Sequence, residues 1–165
     1  MTRVHDLNAV TTAIGEPSTP RLRLQRRGSP YGLLDGGWWP RSTNPVAELP
    51  GLILALDHLQ GPVIRILLHR SDWTHQPVRL GLAGRVIRVA YFDSHPAGLL
   101  SAFTGASARG RIDLVVVPPE TTFERADAAM TVAATQGNDL QAQDILDRLT
   151  RPDGGPGSGF GTQGG

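Results

Sequence analysis

The sequence predicts an α+β domain, with about three helices packed on one face of a mostly antiparallel sheet of about five to seven strands. Three observations lead to this fold class. Short segments of alternating apolar and polar residues follow one another through the middle of the 165-residue chain. Short turns join most of these segments, as in antiparallel sheets. Helical spacing of apolar residues marks three further segments, whose apolar stripes need a sheet to cover them.

The predicted strands carry a period-two pattern, which places every second side chain on the same face of the sheet. In the segment 63–70, Ile64, Ile66 and Leu68 are expected to face the core. The expected strands are 21–24, 31–39, 63–70, 78–82, 85–92, 99–103 and 111–117, and the expected hairpin turns are 83–84 and 105–110.

Three helices are expected from capping residues and apolar stripes. The first begins where Asn44 can cap the helix and Pro45 can take its first position. Pro50 lies inside this pattern and predicts a kink or a restart. The second helix begins at a capping box formed by Thr121 and Glu124. The third helix closes the domain near its carboxyl end, with Asn138 as its expected cap.

The composition divides the chain into three parts. Residues 1–20 are polar, lack sustained periodicity and are expected to be flexible. Residues 21–151 carry the pattern of a single α+β domain, which is long enough to bury a core. Residues 152–165 are rich in Gly and are expected to form a disordered tail, because they offer little apolar surface to offset chain entropy.

Composition also limits the classes of function. The chain has no Cys, which excludes disulfides, thiolate catalysis and zinc sites with sulfur ligands. No signal peptide or apolar stretch of membrane-spanning length is present, so a cytoplasmic location without a membrane partner is expected. Every basic residue is Arg, yet the net charge is only +1, which predicts no bulk attraction to nucleic acid.

The segment 34–42 is the richest in functional groups, with Asp35, Trp38, Trp39 and Arg41 close together. Neighbours on an extended chain point in opposite directions, so one Trp ring is expected in the core. The other ring is a candidate stacking or docking platform. The alternative is a structural corner in which Asp35 and Arg41 form an ion pair and both rings cover the sheet edge.

Arginines recur on one parity of several predicted strands, opposite the apolar parity. The candidate contact residues on this parity are Arg65, Arg79, Arg88 and Arg111. If helices cover the apolar face, the arginine face stays open and is suited to an anionic partner. Single-stranded nucleic acid is one such partner, although the aromatic residues that usually accompany it are scarce. A plain solvated face is the alternative.

No complete catalytic, metal or nucleotide motif occurs in the sequence, so no catalytic, metal or cofactor residue is assigned and no cofactor is expected. The preferred hypothesis is a non-enzymatic binding or regulatory domain that uses the arginine face and the Trp corner. One alternative is a small enzyme with a pocket near Asp35, Arg41 and His69. Another is a homo-oligomeric structural protein whose open sheet face is its interface. A protein partner or a second copy is expected before nucleic acid.

A distinctive segment reads Gly-Leu-Leu-Asp-Gly-Gly-Trp-Trp-Pro-Arg-Ser at residues 32–42. Weaker likenesses lie at 21–24, 48–50, 84–89 and 117–121 and at Trp73. Together these segments make residues 21–151 resemble an actinobacterial family catalogued only as a domain of unknown function. The resemblance implies a recurring bacterial domain, and it carries over no catalytic residues.

Overall fold

Eight strands in one mixed sheet and three helices make up the described part of the chain in the computed structural model, which covers residues 10–12, 15–25, 34–105, 110–135 and 140–150. The strands are β1 (Thr11–Thr12), β2 (Leu22–Leu24), β3 (Gly36–Trp38), β4 (Val63–His69), β5 (Arg79–Leu82), β6 (Arg85–Phe92), β7 (Leu99–Thr104) and β8 (Arg111–Val116). The helices are α1 (Pro45–Gln60), α2 (Phe123–Ala133) and α3 (Ala142–Thr150). The α+β fold class is confirmed.

The sheet is mixed rather than mostly antiparallel, and it has more strands than predicted. Its order is β1-β5-β6-β4-β7-β8-β3-β2. The pairs β1–β5, β3–β8 and β4–β6 are parallel, and the other four are antiparallel. The hairpin of β5 and β6 folds back so that its second strand lies beside β4, which makes that pair parallel. The prediction assumed instead that strands close in sequence would be neighbours.

The strands of both predicted hairpins pair with each other, although residues 106–109 of the second turn lie outside the described residues. The turn between β5 and β6 has positive φ angles of 53° at Ala83 and 78° at Gly84. Two successive positive φ values match the right-handed twist of the flanking strands in a two-residue hairpin. The strands β7 and β8 pair from Leu99 opposite Val115 to Phe103 opposite Arg111.

A register shift in β4, between Val63 and Arg65, corrects the predicted facing of this strand. Ile66 and Leu68 are fully buried as predicted, whereas Ile64 is 52% exposed. The extra residue of a bulge breaks the alternation of side chains, so Ile64 leaves the core face. Its assignment to the core was wrong.

The helices cover both faces of the sheet, so the prediction that they share one face is wrong. Helix α1 buries Leu52 in a core that includes Leu114 of β8. Helices α2 and α3 bury Met130 and Ile145 in a second cluster with Val115, the next residue of β8. Successive residues of a strand point to opposite faces, so the two clusters lie on opposite sides of the sheet. Strand β8 is apolar on both parities here and therefore needs cover on both sides.

Helix α1 begins where the sequence predicts. The side chain of Asn44 accepts a hydrogen bond from the backbone N–H of Val46 at 3.1 Å. Gly61 follows the last helical residue with a φ of 107°, which a glycine adopts without strain. Pro50 lies inside the helix but does not divide it, so no restart occurs.

Helix α2 begins one residue later than its predicted capping box. Thr122, rather than Thr121, caps the helix and accepts a hydrogen bond from the backbone N–H of Arg125 at 3.4 Å. The predicted cap of the third helix, Asn138, lies outside the described residues.

Part of the segment 1–20 contacts the domain: Thr11 and Thr12 pair with β5, and the carbonyl of Thr19 accepts a hydrogen bond from Arg41. The flexibility of this segment stays a prediction. The predicted tail 152–165 lies outside the described residues. Of the helices that the structure describes, none has the length and apolar character needed to cross a membrane.

Candidate anion-binding surface

One row of side chains crosses the sheet on the face that also carries α2 and α3. In the register of the paired strands, Arg79 lies opposite Arg88, which lies opposite Arg65. Arg65 lies opposite Phe103, and Phe103 lies opposite Arg111. Adjacent strands are about 4.8 Å apart, so the five residues span about 19 Å across five strands. We call these five residues the arginine row.

The arginine row is accessible because the described parts of α2 and α3 pack mainly on the β2, β3 and β8 end of this face, where Leu99 of β7 also joins their cluster. Arg65, Arg88 and Arg111 are exposed, and Arg79 and Phe103 are half-buried. The four arginines selected from the sequence are therefore neighbours on an open surface. Phe103 was not selected, and only its register opposite Arg65 and Arg111 places it in the row.

Three of the four arginines have no acidic partner among the described residues. Arg111 Nε donates to both carboxylate oxygens of Asp113, at 3.0 and 3.1 Å. The other ion pairs of the described residues include none of Arg65, Arg79 and Arg88. Adjacent like charges repel one another, and within the described ranges no carboxylate pairs with these three arginines, so this part of the sheet carries uncompensated positive charge.

Phe103 lies within reach of two guanidinium groups. The Cζ atoms of Arg65 and Arg111 are 4.9 and 5.7 Å from the centroid of its ring. Cation–π attraction of this kind helps to hold both arginines in place. The ring of Phe103 thus already contacts Arg65 and Arg111, which leaves less of the ring for a ligand.

A groove of about 520 Å³ lies at the β5 and β6 end of the arginine row. Four guanidinium groups, an amide and an exposed aromatic ring line it: Arg65, Arg70, Arg79, Arg88, Gln76 and Phe92. Arg70 donates to the carbonyl of Tyr91 at 2.9 Å and lies 3.5 Å from the exposed carboxylate of Asp93. Arg70 was missed because the predicted strand 63–70 placed it on the apolar parity, whereas β4 ends at His69 and Arg70 begins a short 3-10 turn.

The two tryptophans are buried on opposite sides of the sheet. Trp38 is 1% exposed and stacks on Trp73, with ring centroids 5.9 Å apart. Trp39 is 7% exposed, and its Nε1 donates to the carbonyl of Pro118 at 3.1 Å. The guanidinium of Arg21 lies 3.6 Å from the centroid of the Trp39 ring. Both rings pack against other parts of the domain. Neither ring is exposed enough to serve as a docking platform.

Asp35 and Arg41 lie at opposite ends of β3 and do not pair. Asp35 Oδ2 accepts a hydrogen bond from the backbone N–H of Asp113 at 2.8 Å. Burial raises the pKa of Asp35, and the Asp113 carboxylate adds to this effect while the hydrogen bond opposes it. Arg41 instead donates to the carbonyl of Thr19 at 2.8 Å. The ion pair of the predicted structural corner is therefore absent from this part of the chain, whereas both Trp rings are buried, as that alternative expects.

His69, the third residue of the predicted enzyme pocket, has a separate partner. Its Nδ1 donates to the carbonyl of His95 at 2.7 Å. Burial lowers the pKa of His95. Asp35, Arg41 and His69 thus have three different hydrogen-bond partners. Across the ranges that the structure describes, no group of three or more His, Asp or Glu side chains is placed to hold a metal ion.

The fold and this surface define a small α+β domain with a mixed sheet, helices on both faces and an open row of arginines. The chain belongs to the family of unknown function DUF5994, whose family model matches residues 21–133. The match confirms the resemblance to a domain of unknown function. It includes the whole arginine row and ends before α3. No curated protein and no solved structure matches the chain.

Proposed function

We propose that the chain is a non-enzymatic binding domain whose arginine row contacts an acidic segment of a partner protein in the cytoplasm. One observation carries this proposal: Arg79, Arg88 and Arg65 lie side by side on an open face, and no carboxylate in the described part of the chain pairs with them. Holding like charges together is unfavourable, and an anionic partner would turn that repulsion into charge-assisted hydrogen bonds.

The side chains around the arginine row favour a protein partner over single-stranded nucleic acid. Val78, Val86 and Phe92 are exposed close to the row. Interfaces between proteins combine arginine and aromatic side chains with apolar ones in this way. Surfaces for single strands instead present several open aromatic rings, and here Phe103 is already engaged by two arginines.

The same charges disfavour self-association through this face. In a two-fold dimer built on it, unpaired guanidinium groups of one copy would face those of the other. The arginine row therefore supports a partner of opposite charge rather than a second copy of the chain.

Fluorescence anisotropy with a labelled peptide that alternates Glu and Leu tests the proposal. The double variant Arg65→Gln/Arg88→Gln should bind at least about tenfold more weakly, because it loses two charged hydrogen-bond donors. The control Arg41→Gln/Arg148→Gln removes the same net charge away from the arginine row and should bind as the wild type does. Added salt should weaken binding, since the row is exposed.

A single-stranded DNA of similar length serves as the competing ligand. If DNA binds more tightly than the peptide at equal salt, the partner is a nucleic acid and the proposal is wrong in that respect. If both double variants weaken peptide binding equally, only net charge attracts the peptide and the arginine row has no special part. Absence of peptide binding at low salt would also overturn the proposal.

A further inference from the structure

The groove at the end of the arginine row combines several guanidinium groups with an exposed aromatic ring. We infer that this groove is a subsite for an aryl phosphate, carried by a tyrosine of the partner or by a free small molecule. The inference rests on the proposed function, because it takes the arginine row as the binding surface and specifies the chemistry recognised at one end of it.

The register brings three guanidinium groups to the groove from three adjacent strands. Arg88 lies between Arg79 on one side and Arg65 on the other. A single carboxylate has one charge and two oxygens, so it satisfies one guanidinium fork. A phosphate monoester has nearly two charges and three acceptor oxygens. Three neighbouring arginines without carboxylates match the phosphate better in both charge and number of acceptors.

Arg79 supplies an independent observation. Its Nε lies out of contact with solvent, and no described residue offers it a hydrogen-bond acceptor, although the side chain lines the groove. A buried donor without an acceptor is unfavourable. A phosphate bound between Arg79 and Arg88 would supply an acceptor for this donor once the Arg79 side chain turns its Nε towards the groove.

The ring of the ligand is inferred from Phe92. This side chain is 45% exposed and lines the same groove as the arginines. It lies on the face that Arg88 shares, four residues further along β6, which is about 13 Å. Extended arginine side chains and an aryl phosphate together can span that distance, with the aryl ring packed on Phe92. The groove volume of about 520 Å³ suits a ligand of this size.

An NMR titration of the isotopically labelled protein with phenyl phosphate, inorganic phosphate and benzoate tests the subsite. Phenyl phosphate should shift the backbone amides of β5 and β6 and should bind at least about tenfold more tightly than benzoate. Inorganic phosphate should bind at the same place but more weakly. Phe92→Ala should remove the advantage of phenyl phosphate while leaving the affinity for inorganic phosphate unchanged.

Variants of Arg79 distinguish the effect of the guanidinium geometry on phenyl phosphate binding from the effect of its positive charge. Arg79→Gln and Arg79→Lys should each weaken phenyl phosphate binding about tenfold, because lysine restores the charge but lacks both the planar fork and Nε. Arg148→Gln, on α3, should leave binding unchanged. If Arg79→Lys binds as the wild type does, the groove attracts the ligand by charge alone and the inferred geometry is wrong.

Two outcomes distinguish this inference from the proposed function. If benzoate and phenyl phosphate bind equally while the acidic peptide still needs Arg65 and Arg88, the subsite is overturned and the proposed function stands. If none of these ligands binds, both are overturned. Comparing a phosphotyrosine peptide with its unphosphorylated form then identifies the source. A gain of about tenfold or more assigns the aryl phosphate to a protein, and phenyl phosphate binding without that gain assigns it to a free small molecule.

Discussion

The sheet face that carries the arginine row has two parts that differ in what covers them. At the β3 and β8 end, Gly37 and Val115 lie under α2, where Met130 packs on them. At the β5, β6 and β4 end, Arg79, Arg88 and Arg65 occupy equivalent sheet positions without a helix above them. One continuous sheet face is thus closed at one end and open at the other.

The difference lies in the size and charge of the residues that point outward. A Cβ atom added at Gly37 would lie 2.9 Å from the Cα of Met130, so the helix can approach this closely only over a glycine. A helix over Arg88 and its neighbours would have to bury charged groups without partners, which is far more costly. The residue types therefore predict which part of the face is a core and which part is a surface.

The largest expected effect tests which side of β4 belongs to the core. Ile66→Ala should lower the free energy of unfolding by about 2–5 kcal/mol, because Ile66 is fully buried. Ile64→Ala, two positions away on the exposed side of the bulge, should change it by no more than about 0.5 kcal/mol. Urea unfolding measures both. Similar losses for the two variants would mean that the bulge does not turn Ile64 away from the core.

A smaller effect tests the two parts of the arginine-bearing face directly. Gly37→Ala should destabilise the protein by about 1–3 kcal/mol, because the new methyl group meets the backbone of α2. Arg88→Gln should change stability by no more than about 0.5 kcal/mol, since Arg88 is exposed and has no carboxylate partner. Thermal unfolding of the two variants gives the comparison. A large loss for Arg88→Gln would show that the open part also holds the fold together.

The smallest effect concerns Asp35, which borders the two parts. Burial raises the pKa of Asp35 in the folded protein, so ionisation of Asp35 disfavours folding. The contribution of protonated Asp35 to stability is therefore fully present below the pKa of the unfolded chain. This contribution is lost as the pH rises through the pKa of the folded protein. Asp35→Asn keeps an oxygen to accept the hydrogen bond from Asp113. The variant should therefore gain stability over the wild type at neutral pH and lose that advantage in acid. Urea unfolding at both pH values checks this, and an equal difference at the two would contradict it.

Local signals predicted much of the fold. The hairpin turn at Ala83 and Gly84, the cap at Asn44 and the burial of Ile66 all depend on residues close in sequence. The parallel pairing of β4 and β6 depends on which strand of the β5–β6 hairpin lies next to β4. No local sequence pattern encodes that choice. The sequence around Ile64 likewise shows no sign of the bulge. The prediction therefore applied the period-two pattern of Ile66 and Leu68 to Ile64 as well.

The candidate surface divides in the same way. Strand parity placed Arg65, Arg79, Arg88 and Arg111 on one face, but their order across the sheet needed the register. The tryptophans were harder to place. Two apolar layers surround β3, so Trp38 and Trp39 are both buried although they point in opposite directions. The predicted fold had helices on only one face of the sheet, so it could not anticipate that both rings are buried.

The second apolar cluster, formed by α2, α3 and β8, extends the folded domain beyond the residues that the family model matches. The family match ends at residue 133, yet Ala142 and Ile145 of α3 are almost fully buried beside Val115 and Val117. A chain that stopped at residue 133 would keep α2 but lose the side chains that α3 adds to this cluster, and it would acquire a new apolar surface where α3 had packed. Moving this domain into another protein therefore requires a segment equivalent to α3, supplied by the chain itself or by its new neighbour.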